Sequence, residues 1–148
     1  MELRSAVFDP NTRIPVRYTG EGNDLSPPLR WSGVPERTRE LALVCDDPDA
    51  PRPEPWVHWV VYGIPPTVSV LEEAAKGDWV EGRNDFGRSG YGGPMPPKGH
   101  GVHHYRFRLY ALDDTLAAKP GITKKDLLAM IEGHVLAEAE LVGTYDRK

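Results

Sequence analysis

A chain of 148 residues, 39% hydrophobic and 27% charged, has the make-up of a globular domain long enough to bury a core, not that of a disordered segment. Its formal charge of −4 argues against a duplex nucleic-acid binder, which needs a basic footprint to displace counterions. The single cysteine, Cys45, excludes an intramolecular disulfide. The first residues lack the apolar core of a secretory signal and no apolar run approaches the roughly 20 residues that cross a bilayer, so a cytoplasmic protein without a membrane span is expected.

Fifteen glycines and fifteen prolines imply frequent turns between short strands. The segment from Ile14 to Trp31 reads as a loop, punctuated by Gly20, Gly22, Asn23, Asp24, Ser26, Pro27 and Pro28. Leu41 to Cys45 is a continuous apolar run, the pattern of a strand buried on both faces. It stops at Asp46-Asp47-Pro48-Asp49-Ala50-Pro51, where prolines remove ladder donors. Trp56 to Tyr62 is a second run, aromatic and β-branched, interrupted only by His58. Glu72 to Lys76 reads as one helical turn, and Gly77 to Gly101 as a long irregular loop of the kind that more often carries function than not.

Tyr105 to Leu112 alternates: Tyr105, Phe107, Leu109 and Ala111 share one face, Arg106, Arg108 and Tyr110 the other. Thr123 reads as an N-cap with Asp126 three residues on, Leu127, Leu128 and Ile131 fall on one helical face, and Gly133 offers a C-terminal stop. Ala137, Ala139, Leu141, Gly143 and Tyr145 then recur at period two, which favours a final strand over a helix continuing through Gly133. With no repeat and no internal boundary, residues 1–148 read as one all-β domain, an antiparallel sandwich with one helix near the C-terminus.

Three features carry chemistry. The acidic turn around Asp47 has a plain reading, in which Asp side chains bond nearby amides. A lone His58 in an apolar strand is ordinarily a satisfied core residue, and the Gly92–Tyr105 segment, with His100, His103 and His104, has a plain reading as a shaped loop with solvated histidines. Together they read differently. An Asp at one strand end, a His in the next strand, and a His and Tyr opening a third can meet at one mouth of a sheet, beside rigid Pro and Gly backbone. A carboxylate that orients a histidine and favours its charged form, with His58, His103, a phenol and an amide as donors, suits an oxyanion such as phosphate or sulfate.

At these residues the sequence resembles the phosphatidylethanolamine-binding protein family, the Raf kinase inhibitor-like proteins, and in particular its bacterial and archaeal branch. The motifs are Ser26-Pro27-Pro28-Leu29 with Trp31, Asp47-Pro48-Asp49-Ala50-Pro51, Trp56-Val57-His58-Trp59, Gly90-Tyr91-Gly92-Gly93-Pro94, Pro96-Pro97-Lys98-Gly99 with His103 and Tyr105, and Gly133-His134 followed by Gly143-Thr144-Tyr145. They run in order over nearly the whole chain. The resemblance implies a Greek-key β-sandwich and an anion pocket in which Asp47, His58, His103 and Tyr105 supply side chains, Met95 supplies its backbone amide, and Pro51 and Pro97 shape the rim. It implies no cofactor, and it implies partners such as a phospholipid head group or phosphorylated side chain, inhibition of a kinase or serine protease as one outlet, and a homodimer. Two departures alter pocket access: the Asp47–His58 loop is short, and Lys148 ends the sequence before the C-terminal helix of larger eukaryotic members.

The rival reading is a metal-dependent enzyme, since Asp46, Asp47, His58, His100, His103 and His104 include the ligand types of a two-His, one-carboxylate site. Nucleophilic catalysis has weaker support. No apolar strand leads into Ser89-Gly90, and Asp46 and Asp47 raise the pKa of Cys45. The glycines near Gly90 form no dinucleotide fingerprint, because no helix pattern follows. The residues therefore point to a binding or regulatory protein and not to an enzyme.

Overall fold

The computed structural model describes residues 1–148. Eight strands, β1 (Glu2–Arg4), β2 (Leu29–Ser32), β3 (Glu40–Asp47), β4 (Trp56–Ile64), β5 (Val70–Leu71), β6 (Val80–Glu81), β7 (His103–Leu112) and β8 (Val135–Tyr145), accompany one α-helix, α1 (Lys124–Ile131). They form two antiparallel sheets, one in the order β1-β2-β5 and the other in the order β6-β4-β3-β7-β8.

The two faces of the five-stranded sheet explain the sequence pattern. Leu41, Leu43 and Cys45 of β3 and Tyr105, Phe107, Leu109 and Ala111 of β7 point inward, where they meet Leu3, Leu29, Trp31 and Leu71 of the smaller sheet. Ala42 and Val44, with Tyr110 and Leu112, point outward beneath Leu127 and Ile131 of α1. Strand β3 is thus buried on both sides along its whole length, which is why it reads as a continuous apolar run and β7 as an alternating one. Helix α1 starts where its cap predicts: the Thr123 hydroxyl accepts from the Asp126 amide at 3.2 Å. The final strand forms as expected and pairs with β7 over its length.

Three local expectations are corrected. The Ile14–Trp31 stretch is not all loop: Val16–Tyr18 makes a 3-10 turn and Leu29 already opens β2. This strand is short, and its alternation is too brief to stand out beside the prolines. Glu72–Lys76 is no helical turn; Ala74 has φ of 53°, outside the helical region, and Glu73 is held by Arg17 and Tyr18. The 77–101 segment is mostly irregular but includes β6, which adds to the edge of β4.

The β3–β4 pairing contains the irregularity that matters for function. Cys45 lies opposite Trp59 but Asp46 lies opposite Val57, so His58 is an extra residue, a β-bulge. Val57 belongs to the outer cluster and Trp59 to the inner one. The bulge changes the phase of the strand at His58 and brings its ring to the inner side, a common use of bulges near functional sites.

Candidate functional site

At one end of the five-stranded sheet, the ends of β3, β4 and β7 and the loops beside them enclose a cavity of ≈ 200 Å³ lined by Asp47, Ala50, Pro51, Trp56, His58, Phe86, Met95, Pro96, Pro97, His103 and Tyr105. All seven residues singled out from the sequence, Asp47, Pro51, His58, Met95, Pro97, His103 and Tyr105, are among them. Strand alternation places Asp47 in the inward phase of Leu43 and Cys45, and His103 in that of Tyr105 and Phe107. The bulge supplies His58, and the proline-rich loop supplies Met95.

Asp47 fills both of its proposed roles. Its Oδ1 accepts from the Asp49 amide at 2.7 Å, an Asx turn, and its Oδ2 accepts from His103 Nδ1 at 2.6 Å. The carboxylate therefore fixes the ring of His103, which is 1% exposed. The opposite nitrogen, Nε2, lies 2.6 Å from Nδ1 of His100, so His100 is not a freely solvated loop residue. Its loop is held in turn by the Gly99 amide, which donates to the Arg147 carbonyl at 2.9 Å.

His58 is locked differently. Its Nδ1 is 2.6 Å from the Gly92 carbonyl, and the Gly92 amide donates back to the His58 carbonyl at 2.9 Å. A carbonyl only accepts, so the ring proton sits on Nδ1 and Nε2 is left for the cavity. Burial pushes the pKa of His58 down, against the opposing pull of the Gly92 carbonyl and of Asp47 and Asp46. The neutral ring therefore presents an acceptor at Nε2, in place of the donor expected from the sequence. Gly92 is required at this point: a Cβ there would sit 2.4 Å from the Phe86 ring, which packs edge-on against both Trp56 and His58.

The remaining donors are unpartnered. Only four buried side-chain polar atoms in the chain lack a hydrogen bond, and two of them, the Tyr105 hydroxyl and Trp56 Nε1, belong to residues of this cavity. Burial, reinforced by the negative charge of Asp47, pushes the Tyr105 phenol well up, so it remains a neutral donor. Met95 carries the only amide N–H between Pro94 and Pro97, and that amide makes no hydrogen bond within the protein. The Gly20 amide holds this run in place through the Pro94 carbonyl, at 2.9 Å.

Of the six residues of the metal reading, Asp47, His58 and His103 line the cavity and His100 touches His103, while Asp46 and His104 lie elsewhere. Asp46 faces the opposite side of the sheet, bonded to Arg106 at 2.9 Å and Lys124 at 2.5 Å. His104 pairs with Asp49 at 2.8 Å on the surface. No group of three or more His, Cys, Asp and Glu side chains is placed to hold a metal ion. Burial, then Asp46 and Asp47, raises the Cys45 thiol well above its ordinary value, as the sequence implies. Sequence reasoning missed Trp56 and Phe86, the aromatic walls, although the Trp56-Val57-His58 motif contains one of them. It left His100 among solvated histidines because its contact with His103 depends on how the loop closes.

Comparison with known proteins places these features in context. The model of a family described as phosphatidylethanolamine-binding protein matches residues 4–146. A UPF0098 protein of Methanothermobacter thermautotrophicus is 50% identical, over 99% of both chains. Among solved structures, CT736 of Chlamydia trachomatis, described as a phosphatidylethanolamine-binding protein homolog, superposes with a TM-score of 0.94 at 41% identity, covering 99% of this chain and 97% of its own. E. coli YbcL, described as a member of the mammalian PEBP family, gives a TM-score of 0.93 at 35% identity, with 99% and 98% covered.

Proposed function

Because this chain belongs to the phosphatidylethanolamine-binding protein family, we propose that its cavity takes up a small oxyanion, the phosphate of a lipid head group or of a phosphorylated side chain, and that the protein acts by binding and not by catalysis. The observation that carries this reading is that the Tyr105 hydroxyl, buried without a partner, the Met95 amide, without a hydrogen bond inside the protein, and the Asp47-oriented ring of His103 belong to residues lining one cavity. A buried donor without a partner costs free energy unless a ligand or water completes it. The volume of ≈ 200 Å³ is several times the roughly 30 Å³ share of one water, enough for a tetrahedral oxyanion and part of the group it is attached to. Trp56, Phe86, Pro51, Pro96 and Pro97 would shield the ion from bulk water and strengthen each hydrogen bond to it.

The test is calorimetric titration of metal-stripped protein with inorganic phosphate and O-phosphorylethanolamine, beside His58→Ala and His103→Ala. Binding by the wild type that is lost in His103→Ala is the expected result. Binding that appears only after zinc or iron is restored would replace this reading with the metal-dependent one. The family likeness extends the proposal to a role in inhibiting a kinase or serine protease, to cytoplasmic residence and to a homodimer, the last checked by light scattering on the purified protein. No helix of the structure is long and apolar enough to cross a membrane.

A further inference from the structure

The cavity presents one acceptor among its donors, and that asymmetry restricts which oxyanion fits. His58 is 3% exposed, and its ring is held edge-on by Phe86 and Tyr105 at centroid distances of 5.4 and 5.1 Å. With Nδ1–H bonded to the Gly92 carbonyl at 2.6 Å, the neutral ring turns only a lone pair, on Nε2, toward a ligand. A fully deprotonated oxyanion brought to that nitrogen would set acceptor against acceptor. An oxyanion that still carries a hydroxyl would donate to it.

We propose that the site selects a protonated tetrahedral oxyanion, a phosphate bearing a P–OH group, over a fully deprotonated one such as sulfate, with His58 Nε2 accepting the ligand's proton as a hydrogen bond. The proposal rests on the anion-binding reading above and narrows it to inorganic phosphate and phosphate monoesters, since the phosphodiester of an intact lipid carries no P–OH near neutrality. The Tyr105 hydroxyl and the Met95 amide donate to the unprotonated oxygens, so that one ligand satisfies the acceptor and these two donors.

The groups around the imidazole support a neutral ring. Asp47 and Asp46 reach it from β3, and Tyr105 and His103 from β7; Phe86 and the Gly92 and Gly93 carbonyls reach it from the 84–94 loop. The two carboxylates favour a charged ring, but each already accepts from other partners: Asp47 from His103 and the Asp49 amide, Asp46 from Arg106 and Lys124. Phe86 and Tyr105 offer no charge at neutral pH.

Two chemical consequences separate this inference from generic anion binding. Near neutrality inorganic phosphate retains at least one proton in either of its populated forms, whereas sulfate retains none. A phosphate monoester loses its remaining proton above a pKa of about 6, so its affinity should fall as pH rises from 6 to 8, while that of inorganic phosphate holds.

The experiment is a calorimetric titration of the full chain at pH 7.5 and matched ionic strength with inorganic phosphate and with sulfate, on wild type and His58→Gln. Alongside it, 15N spectra of histidine-labelled protein are recorded with phosphate bound. Phosphate is expected to bind roughly tenfold to a hundredfold tighter than sulfate, the range for one buried acceptor left unpaired, with His58 Nε2 unprotonated in the complex. In His58→Gln the side-chain amide can turn its N–H2 to the ligand, and the preference should shrink to about threefold or less. Equal affinity for the two ions, or a proton on His58 Nε2 in the phosphate complex, overturns the selectivity and leaves the anion site standing. Binding of neither ion overturns both.

Discussion

Nδ1 of His100 lies 2.6 Å from Nε2 of His103, across the ring from the Asp47 carboxylate that holds Nδ1 at the same distance. Only one proton fits between the two imidazoles, and the nitrogen that His100 covers is the one an anion would need. His100 sits between Gly99 and Gly101, at φ of 71° and 96°, where a Cβ would meet nothing within 4 Å. That backbone is strained for any side chain but glycine, and the open space around it leaves the segment room to turn.

The first prediction follows from this contact. In His100→Ala the Nε2 of His103 is uncovered, and phosphate should bind a few-fold tighter than to the wild type in the same calorimetric titration. Weaker binding would instead make His100 a ligand donor and reverse the direction of the competition.

Tyr105→Phe separates site from scaffold. Its hydroxyl is buried without a partner, so removing it should leave unfolding stability unchanged or raise it by about 1 kcal/mol, as read by urea denaturation. Phosphate affinity should drop about tenfold for the lost donor. A large loss of stability would show that the hydroxyl serves the core.

His58 sets a pH signature. Its folded pKa is lowered chiefly by burial, so below the ordinary histidine value of about 6.5 the unfolded chain binds a proton that the native ring resists. Stability from this group is fully present above that pH and falls as the solution is acidified toward the folded pKa. The melting temperature should decrease from pH 7.5 to pH 5.5, and His58→Gln should show a shallower decrease over the same window. Identical slopes would mean that the ring is readily protonated in the native state.

Asp46 anchors α1 to the sheet. It is 1% exposed and accepts from Arg106 and Lys124. Burial works to raise its pKa, and these two cations outweigh it and hold the carboxyl below its usual value. Asp46→Ala should cost about 2 kcal/mol, less than the loss of a partner from a fully buried pair, because Arg106 and Lys124 stay 24% and 19% exposed and can be rehydrated. Phosphate affinity in this variant should stay close to that of the wild type, since the side chain faces away from the cavity; a drop of tenfold would tie the outer network to the site.

Much of the architecture was legible in local pattern. The continuous run of β3, the alternation of β7 and the Thr123 cap each follow from which faces are buried and which amides need a partner, and motif order located Asp47, His58, Met95, His103 and Tyr105. What those side chains do was settled elsewhere. Asp46 and Asp47 are chemically identical neighbours, yet strand alternation sends one to Arg106 and Lys124 and the other to His103. His58 enters the cavity because a bulge changes the phase of β4, and its proton is assigned by the Gly92 carbonyl, 34 residues away. His100 meets His103, and Phe86 meets Trp56, only because long loops close over the end of the sandwich. Backbone propensity and hydrophobic period act within a few residues, and they determined the strands and the helix. The direction of a polar side chain and the hydrogen-bond partner it finds depend on chain segments far away in sequence, and packing of the two sheets decided them.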